Sequence, residues 1–512
     1  MENYCHVRLQ ARKVQSYLFR FPKWRFIVGA NSRLGELFAH DLPALRKDFG
    51  YSGNPLPFPN LPADFSFDNP KENMESGTLC SAGGHYEGLF TKKEDAIRFC
   101  DEAAKLIKRE LPGIQFGITI KKFPPDITYE AFEEIPFQSV DTSAFPEPFF
   151  NLPDLQISSD DGTNPVNPGS NGNSDLIDHM NAQKIKFFNG DAKDFLCQFL
   201  NTMDIRFWPT GGFEFDTEKL SALSTTRNRN QIAMIVMDGN RMGVRFRKKL
   251  DEIKAKPVME AFIESERFWL ASRNKIRTAL KAVLKKIYED LKGGSPFPVW
   301  PIFLGGDDVM LLSTPELALE LVLLFIEELK KTDPEHTVSA GIAVVKESYP
   351  LAQAHELAES CLSSAKKEAY RTGKSAVDWH ILYDSRTIEI EEIRRRDYML
   401  SYDLDGKTFV DILSCRPCIV EKAGKLCNDA REIVKKVGDE ERGMNKYKAL
   451  RTILRQGRPM AEYQMKQLGI DDGALQFKKE EITIDDKMIR CSQALDVIEL
   501  CEFYRTTKAE GE

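Results

Sequence analysis

Residues 301–312, PIFLGGDDVMLL, restrict the fold more than any other part of the chain. Two apolar runs enclose two glycines and two adjacent aspartates. That is the pattern of a β-hairpin whose tight turn carries Asp307 and Asp308 to the lip of a sheet. Flanks as apolar as 303–304 and 309–312 place the hairpin centrally in a sheet, unlike an acidic turn on a surface loop. Two carboxylates at one tip repel each other unless a cation or a basic group compensates. Upstream, 232–237 (IAMIVM) is a second buried-strand run, and it ends in Asp238-Gly239-Asn240. A lone aspartate at one strand end and an aspartate pair at a neighbouring hairpin suit two divalent cations. Mg²⁺ and Mn²⁺ take hard oxygen ligands, and carboxylates on rigid strands leave room for substrate phosphates. Asp238, Asp307 and Asp308 are therefore the expected metal ligands and the expected catalytic residues.

Asp238 is followed by Gly239, Asn240 and Gly243, then by a basic run with Arg245, Arg247, Lys248 and Lys249. A strand, a glycine-containing turn and a helix N-terminus form a phosphate cradle, because free N–H groups and the helix dipole both favour anions. Taken alone, Asp-Gly-Asn is equally a simple turn; the hairpin in the same region supports the nucleotide reading. Gly305 and Gly306 join the candidate nucleotide contacts. Lys366 lies on a helix opened by Pro350, beside the stripe Leu351, Ala354, Ala358, Cys361 and Ala365. A cation there could reach a triphosphate, although the spacing also suits a solvated lysine.

The clearest linker runs through Pro146, Pro148, Pro153, Pro165 and Pro168 into a Gly/Ser/Asn-rich stretch. The parts on either side look like repeats. Residues 79–90 have the same strand, Gly-Gly, strand outline as the aspartate hairpin, and a helical segment (93–110) and a strand (116–120) follow. After the second hairpin come a helix (315–331) and a strand (338–345). Gly84 to Gly117 and Gly306 to Gly341 are 33 and 35 residues apart. Where the second copy has Asp307-Asp308 the first has His85-Tyr86, and its candidate first strand near 6–10 has no acidic residue. The first copy is expected not to bind metal. The fold class expected is α+β: tandem ferredoxin-like palm domains of the nucleotidyl cyclase/polymerase type with a helical C-terminal domain. The boundaries read as a degenerate first palm at 1–140, a flexible linker at 141–180, a catalytic second palm at 181–398 and a helical domain at 399–512.

Composition excludes some classes. A net charge of −7 and a pI near 5.8 disfavour a protein that coats long nucleic acid. The N-terminus lacks a signal-peptide core, and 317–329, interrupted by Glu320, Glu327 and Glu328, is too short to span a bilayer. No membrane partner is expected. Ten cysteines without a framework rhythm fit a reducing cytosol, so a cytoplasmic location is expected. Cys415-x-x-Cys418 is at most half of a zinc site. His40-Asp41 is an isolated dipeptide, from which no HD nuclease can be assembled.

In their order along the chain, 232–243 (IAMIVMDGNRMG), 303–311 (FLGGDDVML), 339–344 (SAGIAV) with Tyr349-Pro350, and Ala365-Lys366 resemble the large palm-domain subunit of type III CRISPR effector complexes. Residues 15–19 (QSYLF) and 29–34 (GANSRL) look like the start of that family's first palm. The resemblance covers roughly 5–385 apart from the linker. It implies a metal-dependent nucleotidyltransferase that makes cyclic oligoadenylate from ATP as an antiviral second messenger. It also implies Mg²⁺ or Mn²⁺ at Asp238, Asp307 and Asp308. Lys366 resembles a phosphate-contacting lysine of the related GGDEF cyclases, and Gly83, Gly84 and Ser32 of the degenerate palm would seat the acceptor nucleotide. Guide or target RNA, CRISPR-type protein subunits and a separate receptor for the product are the implied partners. The chain departs from larger members in beginning directly at the first palm and in having a Pro/Gly-rich linker where a four-cysteine element often lies, so a stand-alone or minimal cyclase fits as well. Two other classes stay open: an RNA-binding scaffold subunit with little catalysis, and a GTP-using cyclic-dinucleotide synthase.

Overall fold

The computed structural model describes residues 3–19, 24–51, 77–82, 84–140, 166–168, 176–178, 217–225, 230–291, 297–383, 389–437, 441–470, 475, 482–484 and 487–504. The chain forms two compact units. One holds 1–204 with 241–277 and 305–307; the other holds 205–240, 278–304 and 308–512.

In the first unit, β1 (Tyr4–Arg12) is central. Strands β2 (Thr78–Ala82), β3 (His85–Phe90), β4 (Gln115–Phe123) and β5 (Gln138–Ser139) complete a sheet in the order β2-β3-β1-β4-β5. Helix α1 (Trp24–Glu36) follows β1, and α2 (Lys93–Glu110) follows the hairpin. The α2 stripe Ala96, Phe99, Cys100, Ala103, Ala104 and Ile107 is buried at helical spacing, and Tyr86 and Phe90 pack their rings 5.4 and 5.1 Å from Phe99. A short helix, α3 (Tyr129–Glu134), is capped by Thr128, whose Oγ1 accepts from the Ala131 N–H. Within the expected linker, β6 (Val166–Pro168) and β7 (Leu176–Asp178) pair as an antiparallel ribbon; most of 141–180 lies outside the described residues.

The helices α4 (Met242–Ile253) and α5 (Val258–Asp290) follow the strand that ends in Asp238 in sequence, yet α4 and α5 up to Arg277 belong to the first unit. Ile253, Val258, Ala261 and Phe262 share a core with Leu79, Leu89, Phe123, Tyr129 and Phe132. Next to that core, Glu87 is held by three cationic or cation-capable groups. Its Oε2 meets His6 Nε2 at 2.9 Å, and its Oε1 meets His85 Nε2 at 2.7 Å and accepts from Arg8 Nε at 2.8 Å. Burial alone would push this carboxyl up, but the charge and hydrogen bonds of His6 and His85 outweigh it and hold Glu87 well below 4.5.

In the second unit, β8 (Gln231–Gly239) is buried from Ile232 to Met237. It lies between β10 (Asp308–Ser313) and β11 (Val338–Lys346), antiparallel to both. With β9 (Val299–Gly305), β12 (Ala376–Ile381) and β15 (Cys418–Ile419) the sheet runs β15-β12-β11-β8-β10-β9. Its β11-β8-β10-β9 part repeats the β4-β1-β3-β2 order of the first unit, so the tandem-palm reading holds in topology. The glycine spacing that pointed to it does not match equivalent positions. Gly117 lies opposite Gln10, which faces the first residue of β3; Gly341 lies opposite Val236, which faces the third residue of β10.

Helix α6 (Pro315–Thr332) starts with Pro at its first position, with Glu316 in the first turn and Lys330 and Lys331 in the last, each sign matching the helix dipole. Helix α7 (Leu351–Thr372) ends at Gly373, whose φ of +69° is a left-handed stop. It packs so closely on β11 that a Cβ at Gly341 would collide with the Ala358 carbonyl and the Leu362 N–H of its backbone.

The C-terminal region contains α8 (Ile390–Asp397), α9 (Val420–Val437), α10 (Glu441–Leu454), α11 (Arg458–Gln467) and α12 (Ala494–Cys501). The helices were expected. A four-stranded sheet accompanies them, β13 (Met399–Leu404), β14 (Lys407–Ile412), β17 (Lys487–Cys491) and β16 (Ile482–Ile484) in that order. Arg416, fully buried, joins this region to the palm sheet. It pairs with Asp496 at 2.7 Å and Glu499 at 2.9 Å on α12, and donates to the Trp379 carbonyl of β12 at 2.8 Å. Removing one partner of such a pair leaves a buried charge uncompensated.

Two outcomes are expected. Gly341→Val destabilises the protein by about 3 kcal/mol, at the upper end of overpacking costs because helix backbone cannot yield, as urea denaturation reads. Glu87→Gln destabilises by about 1–3 kcal/mol near neutral pH. Because the folded pKa of Glu87 is depressed, its contribution is complete above 4.5 and is lost as the pH falls through the lower folded value. The stability gap between the two proteins therefore narrows on acidification below 4.5.

Candidate active site

Strand β8 delivers Asp238 to a sheet end because six preceding residues, Ile232 to Met237, are buried and fix its register. Met237 lies opposite Val309, so the next step along the ladder brings Asp238 level with Asp308, and Ser339 of β11 lies opposite Asp238 on its other side. The hairpin turns at Gly306-Asp307 between β9 and β10, and Gly306 takes a φ of +60° that glycine adopts without steric cost. One carboxylate oxygen each from Asp238, Asp307 and Asp308 lies within 4.8 Å of the others. Asp238 and Asp307 are half-buried and Asp308 is exposed; no other set of three potential ligands gathers this way among the described residues. Three hard oxygens, two at the ends of neighbouring strands and one on the hairpin turn, fit Mg²⁺ or Mn²⁺.

Lys366, near the C-terminal end of α7, places its ammonium on the Asp238 carboxylate. Its side chain is 45% exposed and that of Asp238 is 18% exposed, so the pair is screened but close. The basic compensation that the aspartates require thus comes in part from Lys366.

The remaining candidates are placed as follows. Gly239 ends β8, buried, opposite Val338. Asn240 is tied to β11: its N–H donates to the Thr337 carbonyl at 2.8 Å and its Oδ1 accepts from Ser339 Oγ at 2.7 Å. The Asn240 N–H is therefore already engaged and does not extend the phosphate cradle. Arg241, at φ +57°, turns the chain into α4, where nothing lies within 4 Å of a Cβ position at Gly243. Gly305 is the last residue of β9. Ser32, half-buried, sits on α1 in the first unit, and Gly84, at φ +80°, forms the β2–β3 turn, where its carbonyl accepts from the Ala11 N–H at 2.7 Å. Gly83 lies outside the described residues. Ser339, buried and anchoring Asn240, was missed, since one serine in an apolar strand carries no signal in sequence.

In the first unit's corresponding hairpin Tyr86 is fully buried and His85 is bonded to Glu87, in place of one half-buried and one exposed carboxylate. Asp41 pairs with Arg33 and His40 lies 3.9 Å from Glu36. Cys415 and Cys418 are free thiols that hydrogen-bond one another, which together with burial pushes the Cys418 thiol up. Among the described residues no helix is long and apolar enough to cross a membrane.

Residues 231–376 match the family model for the second palm domain of Cas10/Cmr2. Among solved structures, the chain is similar to a Csm1-Csm4 cassette in complex with cA4. The two are 13% identical, the match covers 98% of this chain and 70% of that one, and the TM-score is 0.55. Csm1 in T. onnurineus is similar at 13% identity over 98% of this chain and 70% of that one, with a TM-score of 0.53. A cassette in complex with cA3 gives 13% identity, the same coverages and a TM-score of 0.50. No curated protein matches the chain.

The Lys366 ammonium already sits on Asp238, so a divalent cation placed there would have to compete with it. Lys366→Met is expected to tighten Mn²⁺ binding by about two- to fivefold, the range of a partly exposed ion pair, as electron paramagnetic resonance titration reads. Weaker or unchanged binding would contradict that competition.

Proposed function

We propose that this chain, which carries a second palm domain of the Cas10/Cmr2 type, is a metal-dependent nucleotidyltransferase making a cyclic oligoadenylate from ATP. The observation that carries the reading is the convergence of Asp238, Asp307 and Asp308 within 4.8 Å at the edge of that palm, with Lys366 on Asp238. It is supported by solved relatives in fold that are Csm1-containing assemblies in complex with cA4 and cA3.

The reaction is attack of a ribose hydroxyl on the α-phosphate of ATP. The new P–O bond forms as the α–β phosphoanhydride breaks, pyrophosphate leaves and the hydroxyl proton passes to water. Mg²⁺ or Mn²⁺, when bound, would lower the pKa of the attacking hydroxyl and neutralise charge on the triphosphate. Asp238, Asp307 and Asp308 would hold it. Lys366 moves from Asp238 to the triphosphate, where its charge stabilises the pentacoordinate phosphorus. Gly305 and Gly306 keep the hairpin tip clear of side chains, and Gly243 at the start of α4 leaves the backbone open to a phosphate oxygen. The first palm, through Gly83, Gly84 and Ser32, seats the acceptor nucleotide. A four-part organisation at 1–140, 141–180, 181–398 and 399–512 goes with this reading, as do CRISPR-type protein partners, guide or target RNA, a separate receptor for the product and a cytoplasmic location.

Asp307→Ala and Asp308→Ala are each expected to lower product formation by at least about 100-fold, since a direct ligand should cost more than the outer-shell groups that support it, while the melting transition is kept. Mass spectrometry of products from the four NTPs with Mg²⁺ or Mn²⁺ checks this. Full activity in both variants would remove the metal assignment. A product from GTP alone would replace ATP as the substrate.

A further inference from the structure

An indole stands beside the tip of the aspartate hairpin. Trp269, on α5, belongs with Gly306 and Asp307 to the first unit. A Cβ placed on Gly306 would meet only this ring, at 3.2 Å from Cζ3 and 3.7 Å from Cη2. Trp269 is 39% exposed, an unusual position for the largest apolar side chain when the neighbouring segment is charged. Phe246 of α4 backs it, ring centroids 6.0 Å apart and tilted by 48°, and Phe246 in turn lies 6.1 Å from Phe268. The indole is thus supported by aromatic neighbours while part of it remains in water.

We infer that Trp269 is the base platform of the nucleotide site, stacking the nucleobase of the triphosphate whose phosphates lie at the Gly305–Asp308 turn. The inference rests on the nucleotidyltransferase reading and adds how the base is recognised. A ribose links base to phosphate, so a site that holds phosphates at a hairpin tip must offer the base a surface close by, and Trp269 is an aromatic group beside that tip. Glycine at 306 fits this role, because any side chain there would press on the ring. Phe246 limits how the indole can turn, so little freedom is lost when a base stacks. Stacking accepts any base through its π-face and favours the larger purine ring system. Trp269 therefore supplies affinity for purines, and choice between adenine and guanine falls to other groups.

The test compares ATP with inorganic tripolyphosphate, which lacks the base, binding to the full chain. Calorimetry is run with Ca²⁺ in place of Mg²⁺ to prevent turnover. The wild type should bind ATP at least about fivefold more tightly than tripolyphosphate. In Trp269→Leu that ratio should collapse toward one with tripolyphosphate affinity unchanged; in Trp269→Phe most of it should remain. An unchanged ratio in Trp269→Leu overturns the platform, and equal loss of both ligands overturns it by showing that the ring only holds the hairpin in place. Indole fluorescence gives a second reading that needs no destabilising variant. ATP, and not tripolyphosphate, should quench the wild type, and Trp269→Phe should lose that quench; quenching that persists in Trp269→Phe overturns the platform. If the wild type binds neither ligand, the nucleotidyltransferase reading itself fails, whereas binding of both without base dependence leaves that reading standing and removes only Trp269.

Discussion

Three carboxylates whose oxygens come within 4.8 Å repel one another, and the second palm is arranged around managing that repulsion. Asp238 is held on a strand too buried to slide. Its cation, Lys366, arrives from a different element, α7, which lies almost on the backbone of β11. That closeness depends on Gly341, where any side chain would strike helix backbone. A missing Cβ in the middle of a sheet thus sets the position of a charge at its edge. Such an arrangement tolerates a divalent cation well: an ammonium on a flexible stem can leave, whereas a rigid structural arginine could not.

The two palms solve the same electrostatic problem in opposite ways. In the first, Glu87 is surrounded by His6, His85 and Arg8, so protein groups satisfy that acidic side chain of the hairpin. Its carboxyl is held ionised from within, and it creates no demand for an ion from solution. In the second, three acidic groups meet at an edge and the basic partner is partly exposed. Equal strand order therefore coexists with unequal chemistry, as expected when fold and site are separable.

Much of this was legible from residue order. The hairpin could be read because apolar runs on both sides of Gly-Gly leave few alternatives to a central turn, and Asp238 because a six-residue buried run has to end somewhere. The helix after each hairpin followed from periodicity. Register was not legible: Gly117 and Gly341 look alike in sequence yet sit at different rungs, because spacing counts residues and not ladder pairs. The C-terminal sheet was missed because β13 (MLSYDL) and β14 (KTFVDI) are short and carry charges, with Asp403 and Lys407 exposed and Asp411 buried, a weak strand signal. The engagement of Asn240 with Thr337 and Ser339 depends on how two strands end beside each other, which no local pattern encodes. Lys366 was one helix lysine among many until its ammonium could be seen on Asp238.

The placement of α4 and the first part of α5 has a consequence for the order in which the chain can fold. The core that contains Leu79, Phe123 and Phe132 is completed by Val258, Ala261 and Phe262, residues far downstream. During synthesis the N-terminal strands emerge first, but this face has only partial cover, from Tyr129 and Phe132, until the ribosome has passed Phe262. Closure of that core is a long-range event, slow relative to local hairpins and helices. Before it, a nascent chain exposes a sheet face able to associate wrongly. The N-terminal palm therefore matures late, and only after the strand bearing Asp238 has already been made.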